Sequence, residues 1–240
     1  MEPAVYLAAI RDNASVLVDA ADVAGLDAPV PTCPDWAVAD LLEHIGRVHR
    51  WAAANTTRSP DAEFQRADVD IPPPSERSDW VRDGAAALVV ALDRPADDPA
   101  WTWMPPSTIG FWQRRQAHET AMHRVDAEAA AGAPHSIAAD LAADGIDEWL
   151  DIVGHTPWRT PPTGDGESLH FHCTDVDGEW LVRLLPEGLE VERVHAKGDV
   201  AARGTASDLL CWLQGRGGVE RLEVFGDASL LDRWREVATF

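Results

Sequence analysis

Trp112-Gln113-Arg114-Arg115-Gln116-Ala117-His118-Glu119-Thr120-Ala121-Met122-His123-Arg124-Val125-Asp126 is the stretch from which the fold is read. Within it Trp112, Gln116, Glu119, His123 and Asp126 step by four, three, four and three. At about 100° per residue these positions fall on one helical face. Such stepping is the seam by which a helix packs against its neighbours. A plain bundle fills that seam with Leu or Ala; here it is mostly polar and ionisable. A buried carboxylate is costly unless paired or bound to a metal. Glu119 and His123 stand four apart, so their side chains can converge on one ion. The competing reading is an exposed helical pair worth a few tenths of a kcal/mol. Arg114 and Arg124 lie on the opposite side and better mark the solvent face, with Arg115 at the edge of the seam.

A second polar intruder lies nearer the N-terminus. Asp35 reads as an N-cap for a helix over 36 to about 54, whose seam is Ala37, Leu41, His44, Val48 and Trp51. Only His44 is clearly polar. Bundle cores build metal sites from facing helices, so His44, Glu119 and His123 form a candidate ligand set. His49 and His118 lie on adjacent faces; they read as packing or supporting residues, and either is an alternative ligand. His118, Glu119 and His123 are spaced one residue longer than HExxH, which excludes the zincin pattern. Further helices are predicted over 3–24, 75 to about 92, 109 to about 131 and 137 to 152. The proline- and tryptophan-bearing segment 94–108 between two of them is a packed loop.

After Gly154 the pattern changes to alternating or β-branched segments at 168–174, 180–185, 189–194 and 199–203. Asp177-Gly178 and Glu187-Gly188 are hairpin signals. A helix over 205–213, a short strand over 222–225 and a last helix over 227–237 complete the chain. The expected class is α+β and multidomain: a metal-binding helical bundle over 1–154, then a small α/β domain over 167–240.

The chain has 240 residues, 45% of them apolar, enough for a real core. Its formal net charge of −21 disfavours nucleic acid and anionic lipid. No run of about 18 uncharged apolar residues occurs, so no membrane span is expected. The start, Met1-Glu2-Pro3-Ala4-Val5-Tyr6, lacks the features of a signal peptide, and a cytoplasmic protein is expected. Cys33, Cys173 and Cys211 form no CxxC pair and read as reduced thiols. Any thiol chemistry would use a thiol from outside. A monomer or homodimer is expected.

Cys33-Pro34-Asp35-Trp36, continued by Val38-Ala39-Asp40-Leu41-Leu42-Glu43-His44-Ile45-Gly46, resembles a stretch of the mycothiol-dependent maleylpyruvate isomerase family. Ala117 to Glu128 resembles that family's second motif, and Gly204-Thr205-Ala206-Ser207-Asp208-Leu209-Leu210 with Gly215-Arg216 resembles its second domain. Asp35 stands where that family commonly has Gly, and Val125 where it commonly has Trp. The resemblance implies a DinB-like four-helix bundle with zinc, or another divalent metal, on His44, Glu119 and His123. It also implies a C-terminal α/β domain that supplies an arginine. Arg216 is the candidate, with Arg203 and Arg183 as alternatives, and a solvated loop arginine is the competing reading. Asp126 is read as orienting His123, against a solvated or capping carboxylate. Three protein ligands leave a position open. The implied activity uses mycothiol to isomerise or conjugate a small electrophilic substrate, as an isomerase or thiol S-transferase. The rivals are a metal-dependent hydrolase in the same bundle and a non-catalytic thiol- or metal-binding stress protein.

Overall fold

The computed structural model describes residues 1–66, 68–158 and 160–238. The chain divides into two units, Met1–His135 and Ser136–Phe240. Thr239 and Phe240, the end of the predicted C-terminal domain, lie outside the described residues.

The first unit is a bundle of four helices, α1 (Pro3–Ala24), α2 (Val38–Asn55), α3 (Arg77–Leu92) and α4 (Ile109–Ala130). Pro3 opens α1 at a position where a missing N–H costs nothing. Gly25, at φ +86°, ends it in a conformation that side chains resist. Around the bundle α1 neighbours α3 and α4, and α2 neighbours the same two helices. The core between them holds Leu17, Val18 and Ala21 of α1, Leu41, Leu42 and Ile45 of α2, Val81 of α3 and Ala127 of α4. Each buried Leu or Ile contributes roughly 1.5–3 kcal/mol relative to exposure. The start of α2 departs from expectation. Asp35 does not cap it; the backbone N–H of Ala37 donates to Oδ2 of Asp40 at 2.9 Å, so the capping carboxylate comes from inside the first turn. The loop before α4 packs as expected, with the Trp112 indole donating to the Trp101 carbonyl at 2.6 Å.

The second unit begins earlier than the sequence suggests. Helix α5 (Ala139–His155) was expected within the bundle, but it packs against α6 (Ala206–Leu213) and β3 (Gly188–Glu192). The boundary expected at residue 154 falls between His135 and Ser136. An apolar stripe of Leu141, Ala142, Ile146, Trp149 and Val153 demands a partner without specifying which one.

The remaining strands are β1 (Ser168–Cys173), β2 (Glu179–Leu185), β4 (Val200–Gly204) and β5 (Glu223–Gly226). Their order is β3-β2-β1-β4-β5. β1 runs antiparallel to β2 and parallel to β4. Both hairpin signals are realised, linking β1 to β2 and β2 to β3. Strand alternation sends Leu169, Phe171, Trp180 and Val182 to one buried face. Phe171 lies 6.1 Å from Trp212 of α6 and 6.0 Å from Trp234 of α7 (Ser229–Ala238), centroid to centroid. Thr205 caps α6 by accepting from the Asp208 N–H at 3.1 Å. The opposite sheet face carries Ser168, His170, His172 and Glu179. Among the described residues no helix is long and apolar enough to cross a membrane.

Candidate metal centre

The seam of α4 is buried, as its stepping requires: Trp112, Gln116, His123 and Asp126 are all nearly inaccessible. Glu119 alone keeps partial access, with 23% of its side chain exposed. The rest of α4 is less two-faced than expected. Arg124, read as a solvent marker, is buried and paired with Glu128 at 2.7 Å, which offsets the burial of its charge.

Glu119 is the hub. Its Oε1 lies 3.2 Å from Nε2 of His123 and 3.4 Å from Nε2 of His44. The other oxygen, Oε2, accepts from the Arg115 guanidinium at 2.8 Å. Nδ1 of His123 is held by Oδ2 of Asp126 at 2.8 Å, and the Thr32 hydroxyl donates to Oδ1 of Asp126 at 2.5 Å. One atom each from His44, Glu119 and His123 therefore faces a common point, and all lie within 4.8 Å of one another. Tetrahedral donors about 2.0–2.1 Å from a zinc ion sit about 3.3–3.4 Å apart. The two separations from Glu119 match that spacing, and Asp126 and Arg115 engage the atoms of His123 and Glu119 that would face away from such an ion.

The electrostatics agree with a site built for positive charge. Burial pushes the Glu119 carboxyl up, but hydrogen bonds to His123 and His44 and the Arg115 charge outweigh it and hold it well below the usual range. Burial would lower His123, yet Asp126 and Glu119 raise it to about 9. Without a cation, a proton on this imidazole supplies the positive charge.

The alternative histidines are placed elsewhere. His49 is fully buried with Nε2 3.0 Å from the Thr120 hydroxyl, and burial drops it to about 3. Thr120 gives its own proton to the Gln116 carbonyl at 2.7 Å, so neutral His49 donates to it. His118 sits edge-on to Tyr6, ring centroids 6.2 Å apart. Neither joins the cluster. Trp36, which lies off both seams, does: it is 4.9 Å from His44 and 6.1 Å from His123, walling both imidazoles. A tryptophan just before a helix looks like ordinary core, and nothing in its spacing marks it.

Residues 7–128 match the family described as the mycothiol maleylpyruvate isomerase N-terminal domain, and residues 140–233 match the MDMPI C-terminal domain. The chain belongs to the mycothiol maleylpyruvate isomerase family. It is a family of enzymes. A crystal structure of a mycothiol-dependent maleylpyruvate isomerase has the same fold, with a TM-score of 0.63, 14% identity and 93% of each chain covered. A histidine-to-alanine mutant of that isomerase gives 0.65, at 12% identity and with 93% of each chain covered. No curated protein matches the sequence. The α+β class and the helical bundle expected from the residues are those of this family.

The arginines belong to the family's second domain. Arg216 follows α6 and donates to the Gln214 carbonyl at 2.8 Å. Arg203 on β4 pairs with Glu223 at 3.4 Å, and Arg183 on β2 pairs with Glu190 at 3.3 Å and with Glu192. Both alternatives are thus engaged with carboxylates on neighbouring strands.

Proposed function

We propose that this protein uses mycothiol to isomerise or conjugate a small electrophilic substrate, with a divalent metal, zinc by preference, on His44, Glu119 and His123. The observation that carries this reading is the placement of Glu119 Oε1 at 3.2 and 3.4 Å from two imidazole nitrogens, a spacing suited to tetrahedral donors. A cation with three protein donors keeps a position open and favours thiolate over thiol. The chain's own residues prepare that position. Asp126 fixes the tautomer and direction of His123 through Nδ1, and Thr32 fixes Asp126. Arg115 holds Glu119 so that Oε1 faces the imidazoles. Trp36 packs against the two rings.

The thiol comes from outside the chain. Burial pushes Cys173 up to about 12 and Cys211 up to about 11, which leaves both unreactive near neutral pH. Cys33 packs against the bundle core beside Trp36. Reversible addition of an external thiol to a carbon–carbon double bond conjugated with a carbonyl allows rotation before the thiol leaves. Release of the adduct instead would make the protein a transferase. Arg216 is proposed to hold a substrate carboxylate, a role that the planar guanidinium suits.

The test is turnover of maleylpyruvate by the zinc-loaded protein with and without mycothiol. Activity that requires the thiol, and that falls at least a hundredfold in His44→Ala, is expected. Equal activity without thiol would replace this reading with hydrolysis. No turnover of any electrophile, with saturable thiol binding, would replace it with a binding role.

A further inference from the structure

We propose that the second unit carries its own site for a divalent transition-metal cation, formed by His170, Glu179 and His195. It is separate from the bundle's ligands and does not depend on the reading given to them. Strand alternation places His170 and His172 on one face of β1. The antiparallel register sets Glu179, the first residue of β2, directly opposite His172. His195, between β3 and β4, completes the group.

Three imidazoles converge on one carboxylate oxygen. Glu179 Oε2 lies 2.5 Å from Nδ1 of His195, 3.2 Å from Nε2 of His170 and 3.5 Å from Nδ1 of His172. The three rings are 5.9 to 6.2 Å apart and close to mutually perpendicular. His170 and His195 hydrogen-bond this oxygen and fill its roughly two lone-pair sites, while His172 stands beside it as an ion-pair contact. A cation accepts several donors at once. One atom each from His170, Glu179 and His195 lies within 4.8 Å of the others, and His172 borders this set.

The surroundings fit a site with a built floor and an open side. His170 is 7% exposed, and Leu181, its partner across the β1–β2 ladder, is buried. His195 is 80% exposed and His172 30%, so a cation there would keep positions for water or an external ligand. Two imidazoles and a carboxylate select zinc, copper or nickel over calcium or magnesium. The β1–β2 hairpin fixes His170, His172 and Glu179 before any ion arrives.

The test uses the full-length protein stripped with a chelator and titrated with Zn²⁺ against a chromophoric competitor. His195→Ala, at an exposed position, is expected to lose one equivalent of Zn²⁺ with an unchanged circular-dichroism spectrum. His170→Ala should lose the same equivalent, and Glu119→Gln should retain it. A His195→Ala protein that binds as many equivalents as wild type, with the same affinity, would overturn the proposal. A single equivalent in wild type that Glu119→Gln abolishes and His195→Ala spares would overturn it as well. A single equivalent lost only in His195→Ala would support this site and sink the one in the bundle.

Discussion

His123 shows most directly how one side chain is held for a task. Asp126 grips Nδ1 at 2.8 Å, which leaves Nε2 facing Glu119. Asp126→Asn keeps the shape but loses the charge, and supporting groups of this kind typically govern metal affinity by 10–100-fold. We expect zinc to bind about 10–100-fold more weakly in Asp126→Asn, read by competition with a chelator. The same residue sets a pH signature. In the metal-free protein His123 is raised from 6.5 to about 9. Its proton therefore adds stability that is complete below about 6.5 and lost as pH rises through about 9. Zinc competes with that proton, so its affinity should climb over the same window. His49 acts in the opposite sense: lowered to about 3, it costs stability as pH falls below 6.5, where the unfolded chain takes up a proton. Thermal melts of the metal-free protein should show the alkaline loss flattened in Asp126→Asn and the acid loss unchanged.

Among elements, α2 and α4 decide whether the proposed ligands meet. Gly46 lets α3 approach α2 closely: a Cβ there would fall 2.1 Å from a ring atom of Trp80. Arg50 locks the contact, stacking over Trp80 at 4.1 Å and donating to the Gly46 and Trp80 carbonyls. Gly46→Ala should destabilise the protein by about 1–3 kcal/mol, measured by urea unfolding, because the ring must move or α2 must shift. Since His44 is two residues away, zinc affinity should fall too. The legibility of these elements followed from their physics. The polar seam of α4 was readable because a helix repeats every 3.6 residues and His44, Glu119 and His123 break the apolar rule at that period. Trp36 was not, because an aromatic wall obeys the rule. The sequence does not mark His170, His172, Glu179 and His195 as a group, for a related reason. Only His170 and His172 betray a pattern, two histidines two apart on a strand, while Glu179 and His195 arrive by hairpin register and by a loop. The place of α5 is hidden for the same reason, since a stripe names no partner.

At the scale of the molecule, the proposed ligands of the bundle and the groups that hold them fall in one unit. His44, Glu119 and His123, with Asp126, Arg115, Thr32 and Trp36, all belong to Met1–His135. That unit has its own core between α1, α2, α3 and α4. A fragment ending at His135 should therefore fold and bind zinc as the whole chain's bundle does, and calorimetry would check it. The net charge of −21 bears on substrates. A dianionic substrate approaches against this field, and salt screens the repulsion. Raising ionic strength from 0.01 to 0.15 M, about 30 to 8 Å in Debye length, should raise kcat/KM for such a substrate more than for a neutral one.

The most direct measurement of the central claim is the zinc content of wild type and Glu119→Gln, both loaded with Zn²⁺, dialysed and compared at equal helicity. The arrangement of Glu119 between two imidazoles and Arg115 predicts that Glu119→Gln holds one equivalent less than wild type and has no mycothiol-dependent turnover. Equal zinc content in the two proteins, or none in wild type, would contradict a metal on His44, Glu119 and His123.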